Sequence, residues 1–274
     1  MSSDFLICPI CKKDLFFDNG SLKCENKHSF DIAKSGYVNL LNPGKKNNYK
    51  AGDSKEMISA RTNFFISGAY SKISDFLIDI ISEFENKVVI DAGCGEGYYT
   101  ENIAKAFEGS LVFGFDISKF GAEHAAKSAK RNNVSNASFY VSNIFDLPIK
   151  SNSCDIVTNM FAPIASEEFS RILRAGGFLI VAAAGKEHLM GLKRVLYETP
   201  YENEANVPGV NGFIYIKTLN LKYQTLLKSK EDINNLFMMT PYYHRTSLAD
   251  KEKLKSIDNL QTTVEVDFHI YKKI

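Results

Sequence analysis

The stretch that most constrains this chain runs from Val88 to Thr100 and reads Val-Val-Ile-Asp-Ala-Gly-Cys-Gly-Glu-Gly-Tyr-Tyr-Thr. Val88, Val89 and Ile90 form an unbroken apolar run, the pattern of a central parallel strand covered on both faces. Gly93, Gly95 and Gly97 then let the backbone turn tightly and let a ligand approach it with no Cβ in the way. The residues that follow suit a helix, whose first N–H groups point back over the bend.

Two cofactor classes use such a bend. Dinucleotide folds favour G-x-G-x-x-G; here the third glycine falls at 97, and Tyr98 stands where that pattern expects it. Asp91 closes the strand. An apolar run, Asp, Ala and Gly-x-Gly-x-Gly together resemble the first motif of Rossmann-like S-adenosylmethionine (SAM) methyltransferases. The resemblance implies that the methionine and ribose portions of SAM lie over Asp91, Gly93, Gly95, Glu96, Gly97 and Tyr98. A structural glycine turn in another α/β protein is the plainer alternative.

Downstream, Leu111–Ser118 reads as a second strand ending in an acid. Asp116 lies about 20 residues past the bend, where a carboxylate at a strand's carboxyl end accepts both ribose hydroxyls. A plainer role is a helix cap shared with Ser118. A helix over Ala122–Arg131 leads to a third strand, Ala137–Val141. Asn143 and Ile144, just beyond it, are candidate polar and apolar adenine contacts, or simply loop residues. The fourth strand, Cys154–Met160, delivers Phe161 to the edge where donor and acceptor meet. Leu173–Gly177 turns into a fifth strand, Phe178–Ala183. Alternating runs over 219–227 and 264–270 close the sheet, with a capping-box helix from Ser229 between them. The fold class is α/β: a mostly parallel sheet with helices on both faces.

Three of the five cysteines crowd the first 24 residues as Cys8-x2-Cys11 and Cys24-x3-His28. Two close pairs of sulfur and nitrogen ligands suit one tetrahedral zinc ion, and four protein ligands make it structural. Asp18-Asn19-Gly20 turns a hairpin that brings the pairs to one end, as in a zinc ribbon. A module this small needs such a staple. The unpaired cysteine usage suits a reducing cytoplasm, and no apolar run is long enough to span a membrane.

The net charge is only +1, so attraction to nucleic acid requires a local patch. Lys34, Lys45, Lys46, Lys50, Lys55 and Arg61 supply one against Asp53 and Glu56. They are candidate phosphate contacts, or an ordinary solvated loop. The expected organisation is a ribbon over 1–41, a basic linker and helix over 42–70, and a methyltransferase domain over 71–274.

The ribbon, the run Phe30–Leu41, Gly52-Asp53-Ser54, the glycine bend, Gly185–Met190 and Met239-Thr240-Pro241 together resemble the bacterial 23S ribosomal RNA guanine-N1 methyltransferases. The resemblance covers nearly the whole chain. It implies zinc on Cys8, Cys11, Cys24 and His28, cofactor contacts from Tyr70 and His188, RNA recognition by the ribbon, and a homodimer sharing a cleft. Some members of that family confer macrolide-type resistance. In-line methyl transfer to guanine N1 is the expected reaction. Phe161, as a stacking surface, and Asp155, as a base, are the catalytic candidates. The rival readings are a small-molecule methyltransferase and a non-catalytic zinc protein that binds RNA.

Overall fold

The structure is a computed structural model, and it describes residues 3–42, 44, 52–85 and 87–274. The ribbon comes first. β1 (Phe16–Asp18), β2 (Ser21–Lys23) and β3 (Ser29–Asp31) form an antiparallel sheet in that order. Asn19 and Gly20 join β1 to β2 with φ of 47° and 78°, the left-handed pair that a tight hairpin needs.

β4 (Val38–Asn39) follows, then α1 (Lys55–Ile66) and α2 (Ser71–Ser82). The α/β core alternates as β5 (Val88–Ala92), α3 (Tyr98–Ala106), β6 (Leu111–Asp116), α4 (Lys119–Arg131) and β7 (Ala137–Val141). It continues with β8 (Cys154–Met160), α5 (Ser166–Ile172), β9 (Leu173–Ala184) and α6 (Met190–Leu196). The last part holds β10 (Phe213–Leu227), α7 (Lys230–Met238), α8 (Tyr242–Arg245), α9 (Leu248–Lys253) and β11 (Leu260–Lys273).

Among the described residues the main sheet has eight strands in the order β10-β11-β9-β8-β5-β6-β7-β4. β4 through β9 run parallel, and β10 and β11 are antiparallel additions. The order reverses between β5 and β8, which places a ligand crevice at their carboxyl ends. Period-two alternation sorts β5 between two apolar layers. Val89 joins Ile73 and Leu77 of α2, Ile103 of α3 and Leu236 of α7. Val88 and Ile90 join Phe169 and Ile172 of α5 together with Leu6, Leu15 and Leu22 of the ribbon.

Two local readings change. The residues after the ribbon do more than pack it: Val38 and Asn39 pair with Tyr140 and Val141 and become the edge strand of the main sheet. Gly176-Gly177 does not precede the fifth strand but lies inside β9, where Gly176 has φ of 76° and the register with β8 shifts. The glycine pair therefore makes a bulge rather than a separate turn. Among the described residues no helix is long and apolar enough to cross a membrane.

Candidate active site and metal centre

The metal centre is built by two turns. Lys12 and Lys27 take left-handed φ of 61° and 63°; they close the turns through Lys12 N–H to Cys8 O and Lys27 N–H to Cys24 O, both 2.9 Å. The ligand atoms of Cys8, Cys11, Cys24 and His28 all lie within 4.8 Å of one another. Cys24 Sγ is 3.4 Å and Cys8 Sγ 3.5 Å from His28 Nδ1, and Cys11 Sγ is 3.6 Å from Cys24 Sγ. A tetrahedron with bonds of about 2.0–2.3 Å has edges of that size, so three sulfurs and one nitrogen fit zinc.

At the glycine bend, Gly93, Gly95 and Gly97 all have positive φ, at 87°, 56° and 86°. A Cβ on Gly93 would stand 2.6 Å from that of Ala162, and one on Gly97 2.5 Å from that of Ala125. The N–H groups of Gly93 and Cys94 both donate to Phe115 O, tying the bend to β6. Asp91 is buried beneath it. Its Oδ2 accepts from Thr100 Oγ1 at 2.5 Å and its Oδ1 from Thr158 Oγ1 at 3.1 Å. Burial still lifts its pKa to about 6 against those hydrogen bonds. Asp116 Oδ2 accepts from Gly95 N–H at 2.9 Å and Oδ1 from Ser118 N–H at 2.7 Å. Each carboxylate oxygen retains acceptor capacity, so Asp116 is oriented and still able to take ribose hydroxyls. Burial raises its pKa as well.

Glu96 is buried in the bend, and burial pushes its pKa to about 7 although Arg61 pulls it down. Arg61 was expected among the RNA-contacting cations. The structure turns it inward: Nη2 lies 2.5 Å from Asp53 and Nη1 3.5 Å from Glu96, over the Cβ direction of Gly95. Its charge is thus committed to carboxylates at the bend. Lys34 and Lys55 are exposed, while Lys45, Lys46 and Lys50 lie outside the described residues.

Tyr98 leaves the bend sideways. Its ring stacks on Phe65 at 4.2 Å and 6°, bordering a groove of about 250 Å³ between α1, α3 and α4 rather than the crevice itself. Beyond β7, Ile144 is buried, and Asn143 Oδ1 accepts from Phe145 N–H at 3.0 Å.

The other side of the crevice joins Tyr70 and His188, whose Oη and Nε2 are 3.1 Å apart. Glu265 N–H donates to His188 Nδ1 at 3.2 Å. A backbone N–H can only donate, so the neutral imidazole carries its proton on Nε2 and gives it to Tyr70. Burial pushes the His188 pKa down to about 4. Phe161 follows β8 with a left-handed φ of 55°, is 44% exposed, and lies 5.9 Å from the His188 ring. An exposed aromatic held in a disfavoured backbone conformation at this edge is a functional candidate.

Asp155 does not join this group. It opens β8 at the amino edge, five residues before Met160, or roughly 17 Å away at ~3.3 Å per residue. Oδ2 accepts from Val88 N–H at 2.8 Å and Oδ1 pairs with Arg174 at 2.9 Å. It is a structural carboxylate that anchors β5, and cannot serve as the base.

Sequence reasoning gave no role to Thr100, Thr158 or Asn159, and singled out neither Ser142 nor Phe145 within the segment after the third strand that borders the adenine in methyltransferases. Asn159 Nδ2 donates to Ala92 O and Pro163 O, both at 3.1 Å, which leaves Oδ1 buried with no donor among the described residues. Ser142 Oγ, beyond β7, is likewise buried with no partner among the described residues. Two orphaned polar atoms flank a bend held open by glycines, beside oriented carboxylates. A nucleoside carrying hydroxyl and ammonium donors fits that chemistry.

Such an edge holds an adenosyl group, and comparison with known families gives the same class. Residues 83–237, over half the chain, match the methyltransferase-domain family, which makes this a class I SAM-dependent methyltransferase. The fold agrees: the crystal structure of the YcgJ protein from Bacillus subtilis superposes with a TM-score of 0.51 at 16% identity, covering 73% of this chain and 97% of that one. Residues 6–48 match the zinc ribbon described as RlmA, N-terminal. A 23S rRNA (guanine(748)-N(1))-methyltransferase of Streptomyces fradiae is 33% identical over 70% of this chain and 69% of its own. The putative 23S rRNA (guanine-N(1)-)-methyltransferase YxjB of Bacillus subtilis is 28% identical over 97% and 96%. The chain belongs to this family of 23S rRNA guanine-N1 methyltransferases.

Proposed function

We propose that this protein methylates N1 of a guanine in a hairpin loop of 23S ribosomal RNA, in the cytoplasm. The observation that carries the reading is the joining of a metal-binding ribbon to the cofactor edge. Ile7 N–H donates to Pro148 O and Lys150 N–H to Phe5 O, so the ribbon is fixed to the loop that carries Asn143 and Ile144. An RNA held by the ribbon is thereby placed beside the methyl donor, and positioning is the main contribution of an enzyme whose donor is already activated.

SAM, when bound, supplies a methyl group on a positive sulfur. Asp91, Asp116, Glu96, Tyr70 and His188 are the groups that hold it. Phe161 stacks on the extruded guanine, since aromatic faces hold unpaired RNA bases. With SAM bound, the methyl would pass to guanine N1, and the N1 proton would have to leave. His188 does not take it, because its Nε2 is protonated and its Nδ1 is occupied by Glu265 N–H. The exposed edge at Phe161 lets water receive it. The same reading includes a homodimer sharing one cleft, which sedimentation velocity checks.

The direct test is incubation with radiolabelled SAM and 23S rRNA from cells lacking the modification, followed by mapping of the labelled base. Label on a single guanine N1 is the expected result. Label on small metabolites but not on RNA would instead support a small-molecule enzyme.

A further inference from the structure

We propose that Phe145 is a second stacking platform, on the seam between ribbon and catalytic domain, for an unpaired nucleotide that neighbours the target guanine. This rests on the RNA-methyltransferase reading above. Phe145 is 57% exposed, more than Phe161. Its exposure is fixed rather than incidental. Phe145 N–H donates to Asn143 Oδ1 at 3.0 Å, and Asp146 N–H donates to Asn143 O at 2.9 Å. Next to it, Lys12 Nζ of the first metal turn meets Asp146 Oδ1 at 2.8 Å, and two residues further Pro148 O accepts from Ile7 N–H. The ring is therefore presented by a turn clamped from both sides, with little ordering left to do on binding.

The surroundings suit a nucleotide. Ile10, in the same metal turn as Lys12, is an exposed apolar side chain at 41%. Lys12, whose side chain is about half exposed in its pair with Asp146, supplies a cation within reach of a phosphate. Phe161 and Phe145 follow the carboxyl ends of β8 and β7. Those strands are three positions apart in the sheet, or about 14 Å at ~4.8 Å per strand. Two exposed aromatics thus stand along one edge, one at the methyl-transfer crevice and one at the ribbon. A hairpin loop offers unpaired bases on either side of its target, and aromatic rings take such bases with little regard to sequence.

The alternative use of Phe145 is as a wall of the adenine pocket, and the test separates the two. It compares zinc-loaded full-length protein with Phe145→Ala and Phe145→Trp on the rRNA hairpin fragment that the parent protein methylates. RNA affinity is read by fluorescence anisotropy and SAM affinity by calorimetry. Alanine is expected to weaken RNA binding by about 5- to 150-fold, the range for loss of one base–aromatic stack. Tryptophan should restore it, with SAM affinity and zinc content unchanged in both. RNA affinity of the alanine variant within about twofold of the parent, or a parallel loss of SAM binding, would overturn the proposal. Failure of the parent to methylate any rRNA fragment would instead remove the reading on which it rests.

Discussion

Asp91 and Glu96 are two buried carboxyls at the glycine bend, and their protonation should set how well a cationic ligand is held there. Burial raises both, Asp91 to about 6 and Glu96 to about 7. Their ordinary values lie near 4, so between roughly pH 4 and pH 7 the folded protein binds protons that the unfolded chain has released. The stability these two carboxyls contribute to the ligand-free protein therefore falls as pH rises through that window, while buried His188, held down at about 4, contributes with the opposite sign below about pH 6.5. The charge dependence of binding has the opposite sign. A donor with a positive sulfur gains from each carboxylate that ionises, and its demethylated product, with a neutral sulfur, gains less. Calorimetry at pH 5.5 and pH 8 is expected to show the ratio of SAM to product affinity rising with pH. A ratio that stays constant would mean the two carboxyls do not sense the sulfonium. Neither partner that steadies Asp91 was legible in the chain. Thr158 sits on β8, 67 residues away, and only strand pairing reveals that it faces Asp91.

At the scale of elements, the bend depends on how closely α4 can approach it. A Cβ at Gly97 would meet Ala125 Cβ at 2.5 Å and Ala125 Cα at 3.2 Å, in a backbone conformation of φ 86°. A Cβ at Gly121 would meet Gly95 O at 2.7 Å. Gly97→Ala is expected to cost about 2–4 kcal/mol from strain and overpacking together, or roughly 5–15 °C in Tm. Gly109→Ala, with nothing within 4 Å and no positive φ, is the matched control and should leave Tm unchanged. Differential scanning fluorimetry distinguishes them. Strand–bend–helix order was legible because apolar runs, glycines and caps are local signals. Ser229, for example, caps α7 through Asp232 N–H at 3.0 Å. β4 was not legible, since two residues carry no periodicity and their strand character comes from pairing with β7. Arg61 read as one cation in a basic run, because the carboxylate it faces at 96 comes from a distant segment.

For the molecule as a whole, the central question is whether ribbon and sheet are one cooperative unit. The ribbon's four ligands were legible from spacing alone, but its attachment was not: Leu6 pairs with Ile149, and Lys150 reaches Asp14 at 2.8 Å. The ribbon's own apolar centre is little more than Leu6, Leu15 and Leu22, too small to stand without metal. In such modules, metal-binding free energy of roughly 10–16 kcal/mol serves as folding free energy. The other face of the sheet has an apolar layer with no ribbon residue in it, including Val89, Ile156, Ile180 and Val266. Removing zinc, by chelation or by Cys11→Ser, is therefore expected to unfold β1–β3 and abolish RNA methylation while SAM still binds within about threefold of the loaded protein. Circular dichroism should then show the ribbon's signal lost before heating begins, with one remaining thermal step that belongs to the sheet. If SAM binding disappears along with the metal, the hydrogen bonds at Pro148 and Lys150 transmit the ribbon's order into the cofactor edge, and the metal holds the catalytic crevice as well as the RNA.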